Sequence, residues 1–343
     1  MFQSGISREF EKDVRTVIVA AVLETTGQTR FGDGTDINIT VTEKDLVSGE
    51  GGGVEKAVFA GTKRRGVDRR AMHELRNKFW DEEDCYIPKL CGMCPTCMLL
   101  GFTGTTQDKK DIKDINCKSR ILYATAYSIQ PTGDAINTHT RNQVNERSQT
   151  TAGSAGIHTE EVIVAGTHFP TYTTLHHVLD WEIGAFAHAL LENVNQGRYT
   201  AASRAQGGMK IAEGENREPM ISVDVSEVGI FPIPTPKVSA AEENFDEVAD
   251  AFKEGGDEDR LKGRLERFGF SLEEEDGAHV WKRNGAEGGR RYTGEGAVSY
   301  LRKRQGDFTD FLATFKDGDG SKKFREGAKK YYDDVKSKKG SEE

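Results

Sequence analysis

A central β-strand is predicted by the sequence Val14-Arg15-Thr16-Val17-Ile18-Val19-Ala20-Ala21-Val22-Leu23. Most of these residues are apolar and many are β-branched, which is the composition of a strand buried within a sheet. Residues 25–34 follow, and they are rich in glycine, threonine and other turn formers. The chain therefore leaves this strand through a long loop.

Further strands and helices are predicted on both sides of this segment. Alternating apolar and polar residues predict strands at 121–129, 162–172 and 220–225. Apolar residues at helical spacing predict helices at 63–78, with Thr62 as its N-cap, and at 180–191. Strands and helices thus alternate through the first two-thirds of the chain, and this order predicts an α+β fold with a sheet and long insertions.

Two segments interrupt or end this pattern. Residues 130–161 form a polar excursion that is too long for a tight turn, and we expect a protruding hairpin or arm there. Pro232, Pro234 and Pro236 are three of only eight prolines, so residues 231–237 mark the clearest boundary. Residues 238–343 are predicted to form a charged, mainly helical region.

The composition limits the class of protein. The chain has 343 residues, a formal net charge of -9 and 36% hydrophobic residues, which is enough for one large domain or two smaller ones. No long apolar segment could span a membrane, and the N-terminus lacks the pattern of a signal peptide. We therefore expect a cytoplasmic protein without a membrane partner. The acidic balance excludes a uniformly basic surface, but a local basic track can still bind one phosphate strand.

Four cysteines predict a metal site. Cys85, Cys91, Cys94 and Cys97 lie within thirteen residues, in two overlapping Cys-x-x-Cys steps. Four thiolates at this spacing can enclose one tetrahedral Zn²⁺ ion. Because the protein would fill all four positions, the zinc would be structural and would have no open position for catalysis.

Other interpretations of these cysteines are weaker. Redox thiols would need a Cys-x-x-Cys between a strand and a helix, and an iron–sulfur run would need a cysteine where Gly101 stands. A zinc deaminase would need His-x-Glu, whereas His73 is followed directly by Glu74. His73 could replace Cys85 as the fourth ligand, and this alternative stays open here. Cys117 is predicted to be a buried apolar residue.

Basic residues cluster at the start of the first helix. Residues 63–70 contain five cations and one acid, and exposed N–H groups at a helix start already favour anions. An ordinary charged helix face is the alternative, but such clustering favours contact with a phosphate backbone. The five cations are Lys63, Arg64, Arg65, Arg69 and Arg70.

A second candidate for phosphate contact is the loop at 198–210. It combines small residues and hydroxyls with Arg198, Arg204 and Lys210, and it contains no acid. Glycines there would allow close approach to a phosphodiester, and Ser203 could donate to a phosphate oxygen. A flexible surface loop is the alternative. In the polar excursion, side chains suited to contact unpaired bases are His139, Arg141, Asn142, Asn145 and Arg147.

Evidence for catalysis is limited to two aspartates. No nucleotide-binding, serine-hydrolase or zinc-protease motif occurs in the sequence. Asp33 and Asp36, in the loop after the first strand, are the candidates for a general base or metal ligand. Turn-forming aspartates are far commoner than catalytic ones, so we expect a protein that is not an enzyme.

The order of these features resembles that of a known family. The matching segments are Ala60-Gly61-Thr62-Lys63-Arg64-Arg65-Gly66-Val67-Asp68-Arg69, Leu90-Cys91-Gly92-Met93-Cys94-Pro95-Thr96-Cys97, Ala165-Gly166-Thr167-His168-Phe169 and Ser203-Arg204-Ala205-Gln206-Gly207-Gly208. They resemble the CRISPR-associated backbone subunits of Cascade-type surveillance complexes, and the cysteine segment is similar to that of the type I-D member. The resemblance covers residues 14 to about 230.

The resemblance implies a fold and an assembly for antiviral defence. The fold would be a modified RNA-recognition-motif core, ferredoxin-like, over 1–80 and 119–237, with a zinc-binding insertion at 81–118 and a thumb-like hairpin at about 130–161. Several copies would polymerise along one CRISPR RNA, and each thumb would displace one nucleotide as the guide pairs with a target DNA strand. The other partners would be the large, small and cap subunits of the ribonucleoprotein.

The resemblance also implies roles for particular residues. Guide phosphates would be bound by Lys63, Arg64, Arg65, Arg69, Arg70, Ser203, Arg204, Gly207, Gly208 and Lys210. The thumb would carry His139, Arg141, Asn142 and Arg147. Related type III subunits cut target strands with a loop aspartate, which would match Asp33 or Asp36, although the surrounding residues depart from that motif. Two alternatives therefore remain: a target-strand endonuclease of this architecture, and a zinc-stabilised protein-interaction module without nucleic acid.

Overall fold

The structure is a computed structural model. It describes residues 14–32, 42–44, 55–80, 85–104, 112, 115–142, 144–145, 147, 150–151, 157–199, 207–226, 258–316 and 318–339. The elements of the first part of the chain are β1 (Arg15–Thr25), β2 (Thr42–Lys44), β3 (Glu55–Phe59), α1 (Gly61–Arg76), α2 (Pro95–Leu100), β4 (Phe102–Thr103), β5 (Asn116–Cys117), β6 (Ile121–Tyr123), β7 (Ala126–Pro131), α3 (Thr132–Ala135), β8 (Ile136–Asn142), β9 (Val144–Asn145) and β10 (Thr150–Thr151).

The second part adds longer elements. They are β11 (Ile157–Ile163), β12 (His168–Val178), α4 (Asp180–Asn195), β13 (Met209–Ile211), a 3-10 turn (Glu215–Arg217), β14 (Ile221–Ser226), α5 (Glu258–Arg267), β15 (Ser271–Glu275), β16 (Ala278–Arg283), β17 (Ala286–Thr293), α6 (Gly294–Ala313) and α7 (Asp319–Lys339). The fold is therefore α+β, as the sequence predicts.

An antiparallel sheet organises the molecule. Its strand order is β15-β16-β17-β14-β1-β12-β6, and β13 pairs with the end of β1. Val19 of β1 lies opposite Thr173 of β12 on one side and Val223 of β14 on the other. The predicted central strand is thus confirmed, with α1 between β1 and β6 in the chain and α4 between β12 and β14.

Both faces of β1 are buried. Val17, Val19, Ala21 and Leu23 face the main core between the sheet and the helices. The intervening Ala20 and Val22 belong to a smaller cluster on the opposite face. Burial on both faces explains why the strand is a continuous apolar run instead of an alternating one.

Several local predictions were wrong. The strand predicted at 162–172 is interrupted by a turn, because β11 ends at Ile163 and β12 begins at His168. The strand predicted at 121–129 is two strands, because β6 pairs with β12 whereas β7 pairs with β3 in a separate sheet. Helix α1 begins at Gly61, after an Ala60 cap that makes no side-chain hydrogen bond, so Thr62 is not the N-cap. A Cβ at Gly61 would lie 2.3 Å from the Tyr123 carbonyl oxygen, and glycine is what lets the helix start against β6.

The C-terminal region is joined to the same sheet. Strands β15, β16 and β17 extend it through β17, which pairs with β14, and the sequence analysis did not predict these strands. Arg291 of β17 forms a bidentate ion pair with Asp224 of β14, and both side chains are buried. Helix α6 packs on α4 closely enough that a Cβ at Gly184 would lie 2.0 Å from the Arg304 carbonyl oxygen.

Candidate metal centre and nucleic-acid interface

The four cysteine sulfurs meet in one buried cluster. Their Sγ atoms all lie within 4.8 Å of one another. Cys85 Sγ is 3.3 Å from Cys97 Sγ and 3.7 Å from Cys94 Sγ, and Cys91 Sγ is 3.9 Å from Cys97 Sγ. A tetrahedral ion with zinc–sulfur bonds of about 2.3 Å places its sulfurs about 3.8 Å apart. The donor set therefore fits a single zinc-like ion.

Backbone N–H groups around the cluster donate hydrogen bonds to the cysteine sulfurs. The Cys94 N–H donates to Cys91 Sγ at 3.2 Å, and the Cys91 N–H donates to Cys85 Sγ at 3.4 Å. Cys94 is the N-cap of α2, with Pro95 at the first helical position. Backbone N–H groups aimed at sulfur stabilise its anionic form. None of these cysteines forms a disulfide, and each is buried.

His73 lies beside the cluster but outside it. The four atoms brought together are all cysteine sulfurs, so the geometry does not favour exchanging Cys85 for His73. Burial and the charge of Arg76 together lower the pKa of His73 to about 4, and Cys85 opposes this shift. Neither ring nitrogen has a hydrogen-bond partner. Cys117 is half-buried rather than buried, and burial raises its pKa.

The C-terminal helix α7 covers the cysteine segment. The Tyr332 hydroxyl donates to the Gly92 carbonyl at 2.5 Å and contacts Met98 Sδ at 2.7 Å. Its ring packs edge-on against Phe102, with centroids 5.7 Å apart. Gly92 has φ +70°, and a Cβ there would lie 2.9 Å from Ile112. The turn between two ligands is therefore fixed by a residue 240 positions away in the chain.

The five cations of α1 point in different directions. Arg64 is 3% exposed, and its guanidinium donates to the Ala124 carbonyl at 3.1 Å and to Thr173 Oγ1 at 2.7 Å. Arg69 is 5% exposed and donates to Cys97 Sγ at 3.2 Å. Both guanidinium groups are held by internal partners, so neither belongs to the candidate interface with nucleic acid.

The remaining cations of α1 lie nearer the surface. Arg70 is exposed, and Arg65 is half-buried and donates to the Leu100 carbonyl. The pKa of Lys63 is lowered by burial and by the charges of Arg30 and Arg70, so these three cations lie close together. Lys63 Nζ also lies 5.6 Å from the centroid of the Phe31 ring.

The glycine pair before β13 contacts other parts of the chain. A Cβ at Gly207 would lie 2.4 Å from Gly27 Cα, and a Cβ at Gly208 would lie 2.2 Å from Gly197 Cα. The Gly207 N–H donates to the Gln28 carbonyl at 3.2 Å. Gly207 is thus required by contact with the loop after β1, and Gly208 by contact with the turn after α4. Ser203 and Arg204 lie outside the described residues.

A two-stranded hairpin lies at the predicted thumb. Strands β8 and β11 pair antiparallel, with His158 opposite Arg141 and Ile157 opposite Asn142. His139 is half-buried, and its Nε2 is 2.9 Å from Gln28 Nε2. Arg147 is exposed.

The loop after β1 contributes residues that the sequence analysis missed. Gln28 contacts both the hairpin and the glycine pair, and Arg30 forms an ion pair with buried Glu160 of β11 at 3.3 Å. Lys210 lies in β13, just after the glycine pair, and forms an ion pair with Glu24 at 3.3 Å. The structure thus brings the start of α1, the hairpin and the glycine pair together around residues 26–32. In the sequence, the only indication that residues 26–32 make these contacts was their composition of turn-forming residues. Asp33 and Asp36 lie outside the described residues.

Comparison with known protein families finds a match over part of the chain. Residues 44–212 match the family model described as Csc2 Crispr, so this part of the chain carries the sequence pattern of that CRISPR family. No curated protein matches the chain. None of the helices in the described residues is long and apolar enough to cross a membrane.

The solved structure of Csc2 from Thermofilum pendens shares the fold. It is 17% identical, with a TM-score of 0.50, over 98% of this chain and 94% of that chain. A chain of the Csm3-Csm4 subcomplex of a type III-A CRISPR-Cas interference complex is 16% identical over 62% of this chain and 81% of that chain, with a TM-score of 0.34. A chain of a type IV-B CRISPR complex is 12% identical over 66% of this chain and 96% of that chain, with a TM-score of 0.42.

Proposed function

We propose that this chain is a backbone subunit of a CRISPR surveillance complex of type I-D. Several copies would polymerise along one CRISPR RNA and hold it for pairing with a target DNA strand in antiviral defence. The observation that carries the proposal is the Csc2 Crispr match over residues 44–212, in a chain whose fold matches a Csc2 structure along nearly its whole length. The large, small and cap subunits of the complex would be its other partners, in the cytoplasm.

We infer that the core is a modified RNA-recognition motif. Strands β1, β6, β12 and β14, taken as the first to fourth core strands, lie in the order fourth, first, third, second. Helices α1 and α4 complete a βαββαβ order, which is the ferredoxin-like arrangement. The hairpin of β8 and β11 and the cysteine segment interrupt this core as insertions.

We propose that the cysteine segment holds a structural Zn²⁺ ion. The sulfurs of Cys85, Cys91, Cys94 and Cys97 would bind it, and the ion would supply folding free energy to a segment with little regular structure. Because all four ligands are protein thiolates, the ion has no position for a reacting water. Its role would be to hold the segment against α1 and α7.

The guide RNA would bind around residues 26–32. Lys63 and Arg70 supply positive charge beside Arg30, whose own charge is paired with Glu160. Lys210, which pairs with Glu24 but is 44% exposed, extends this surface past β13, and His139 of the hairpin borders it. Such a local track binds a phosphate backbone despite the net charge of -9. Ser203, Arg204, Arg141, Asn142 and Arg147 stay predicted contacts.

The test is to purify the chain, measure its 260/280 nm absorbance ratio and sequence the RNA that it carries. We expect CRISPR-repeat-derived guides bound to oligomers of the chain. A chain that is free of nucleic acid, and stays free when given guide RNA, would contradict the proposal and favour the zinc-stabilised interaction module.

Charge variants locate the contact. The triple variant Lys63→Ala, Arg70→Ala, Lys210→Ala should bind guide RNA more weakly, with a salt dependence reduced by about 0.7 per lost phosphate contact. The matched control removes three exposed cations of the C-terminal helices, Arg302, Lys303 and Lys322, and should bind like the wild type. Equal loss in both variants would mean that only total charge matters, and would remove this surface from the proposal.

A further inference from the structure

Two arginines of α1 are buried against the cysteine cluster. Arg69 is 5% exposed and Arg76 is 1% exposed, and they lie two helical turns apart on one face of the helix. A buried guanidinium is costly unless a counter-charge and hydrogen bonds compensate for its lost hydration. The structure must therefore supply negative charge close to both residues.

Arg69 contacts a cysteine sulfur directly, and Arg76, on the same buried face of the helix, is influenced by the charges of two others. Arg69 donates through Nη2 to Cys97 Sγ at 3.2 Å and through Nη1 to the Gly101 carbonyl at 3.4 Å. Arg76 contacts the neighbouring Asn77 side chain, which is uncharged. Burial alone would lower the pKa of Arg76, but the thiolates of Cys94 and Cys85 raise it above its usual value.

Carboxylates do not provide the missing charge. Among the described residues, no aspartate or glutamate forms an ion pair with Arg69 or Arg76. Arg69 Nε and Arg76 Nη1 are buried without a hydrogen-bond partner. Within the part of the chain that the structure describes, the sulfurs are consequently the anionic groups available to these two side chains.

The charges balance when the cluster holds a divalent ion. Four thiolates around one divalent cation carry a formal charge of about 2−, which two guanidinium groups neutralise. We infer that Arg69 and Arg76 are the charge-compensating residues of a dianionic metal tetrathiolate, and that they bind α1 to the loaded metal centre. Four neutral thiols would instead leave two buried cations without counter-charge.

This inference rests on the proposed divalent occupancy of the cysteine cluster and is independent of RNA binding. It assigns two basic residues of α1 to the metal, and leaves Lys63 and Arg70 of the same helix for a ligand outside. The helix would then be positioned by the metal on one face and present its cations on another.

The experiment measures metal affinity in the full chain. Wild type, Arg69→Met and Arg76→Met are titrated with Zn²⁺ against a chromophoric chelator, and with Co²⁺ to record the absorption of its thiolate complex. The matched control is Lys78→Met, which removes an exposed cation two residues beyond Arg76. We expect one zinc per wild-type and control chain, and a 10- to 100-fold weaker affinity in each arginine variant. The Co²⁺ spectrum should keep its four-thiolate form, since no ligand has changed.

A second comparison separates charge from packing. Arg69→Lys keeps the charge and Arg69→Gln removes it at similar polarity, so only the Gln variant should lose affinity; this pair replaces the Met variants if those fail to fold. Wild-type affinity in Arg69→Met and Arg76→Met, or equal losses in the Lys and Gln variants, overturns the inference. A wild-type chain that binds neither Zn²⁺ nor Co²⁺ overturns it together with the proposed zinc site, whereas the RNA proposal would be untouched.

Discussion

The phenolic hydroxyl of Tyr199 donates to Oδ1 of Asp68, and the two oxygens are 2.5 Å apart. Both side chains are buried, and Asn193 Nδ2 donates to the same oxygen at 2.9 Å. Asp68 lies in α1, between cations of the candidate interface, and Tyr199 follows α4 in the chain. One buried hydrogen bond thus fixes the segment after α4 to α1.

Removing this hydroxyl should destabilise the fold. Tyr199→Phe leaves the buried Asp68 carboxylate with one donor fewer, and we expect a loss of about 1–3 kcal/mol in the free energy of unfolding. Urea denaturation measures it. The control is Tyr86→Phe, at a site that is 49% exposed, which should leave stability unchanged. Equal stability of Tyr199→Phe and wild type would show that the bond has no net value.

The same substitution at two helical glycines should have opposite effects. A Cβ at Gly184 of α4 would lie 2.0 Å from the Arg304 carbonyl oxygen of α6, whereas a Cβ at Gly306 of α6 has nothing within 4 Å. We expect Gly184→Ala to destabilise by about 1–3 kcal/mol through overpacking. Gly306→Ala should stabilise by about 0.5–1 kcal/mol, because alanine has the higher helix propensity.

Thermal and urea unfolding of both alanine variants test the α4–α6 contact. If both variants were stabilised, the helices would not pack as closely as the structure shows.

The buried pair of Arg291 and Asp224 should behave differently from an exposed pair. Asp224→Ala leaves a buried guanidinium without its counter-charge, and we expect a loss of about 3–5 kcal/mol. The double variant Asp224→Leu, Arg291→Met should recover most of this, because no unpaired charge remains. A double-mutant cycle by denaturant unfolding gives the coupling energy.

The control is Asp319→Ala, which removes a pair with Lys323 whose side chains are 68% and 73% exposed; it should leave stability unchanged. A coupling energy near zero for Arg291 and Asp224 would contradict the role of this pair in joining β17 to β14.

His73 should make stability depend on pH. Burial lowers its pKa from 6.5 to about 4, so between these values the unfolded chain binds a proton that the folded chain does not. Stability is therefore lost as pH falls below 6.5. Relative to His73→Gln, the wild type should lose about 2 kcal/mol between pH 7 and pH 5.

Protonation of the cysteine thiolates affects the wild type and His73→Gln equally. The difference between their free energies of unfolding therefore reports the contribution of His73 alone. Urea unfolding at four pH values measures it, and a difference that does not change with pH would show that His73 is solvated in the folded state.

Local patterns in the sequence determined the central strand, the helix at α4 and the cysteine cluster. Each depends on spacing between neighbouring residues: an unbroken run of β-branched residues, a helical period, or thiols close enough to surround one ion. The same is true of the polar excursion, where the hairpin of β8 and β11 lies.

Tertiary structure decided what the cations do. Five basic residues within 63–70 look equivalent in the sequence, but successive residues of a helix point about 100° apart. Arg64 and Arg69 therefore face the interior while Arg70 faces solvent. These roles differ only because α1 packs against β12 and the cysteine segment. The fold also brings Arg30 and Gln28, which lie in the loop after β1, close to the start of α1.

In the C-terminal region, too, the sequence predicted local structure but not the contacts between distant residues. Its residues predict charged helices, but its pairing with β14 and the docking of Tyr332 on Gly92 are contacts between residues far apart in the chain. A local pattern in the sequence predicts which helices and strands can form. Which of these elements pack against each other depends on the shape and charge of surfaces that exist only after the chain has folded.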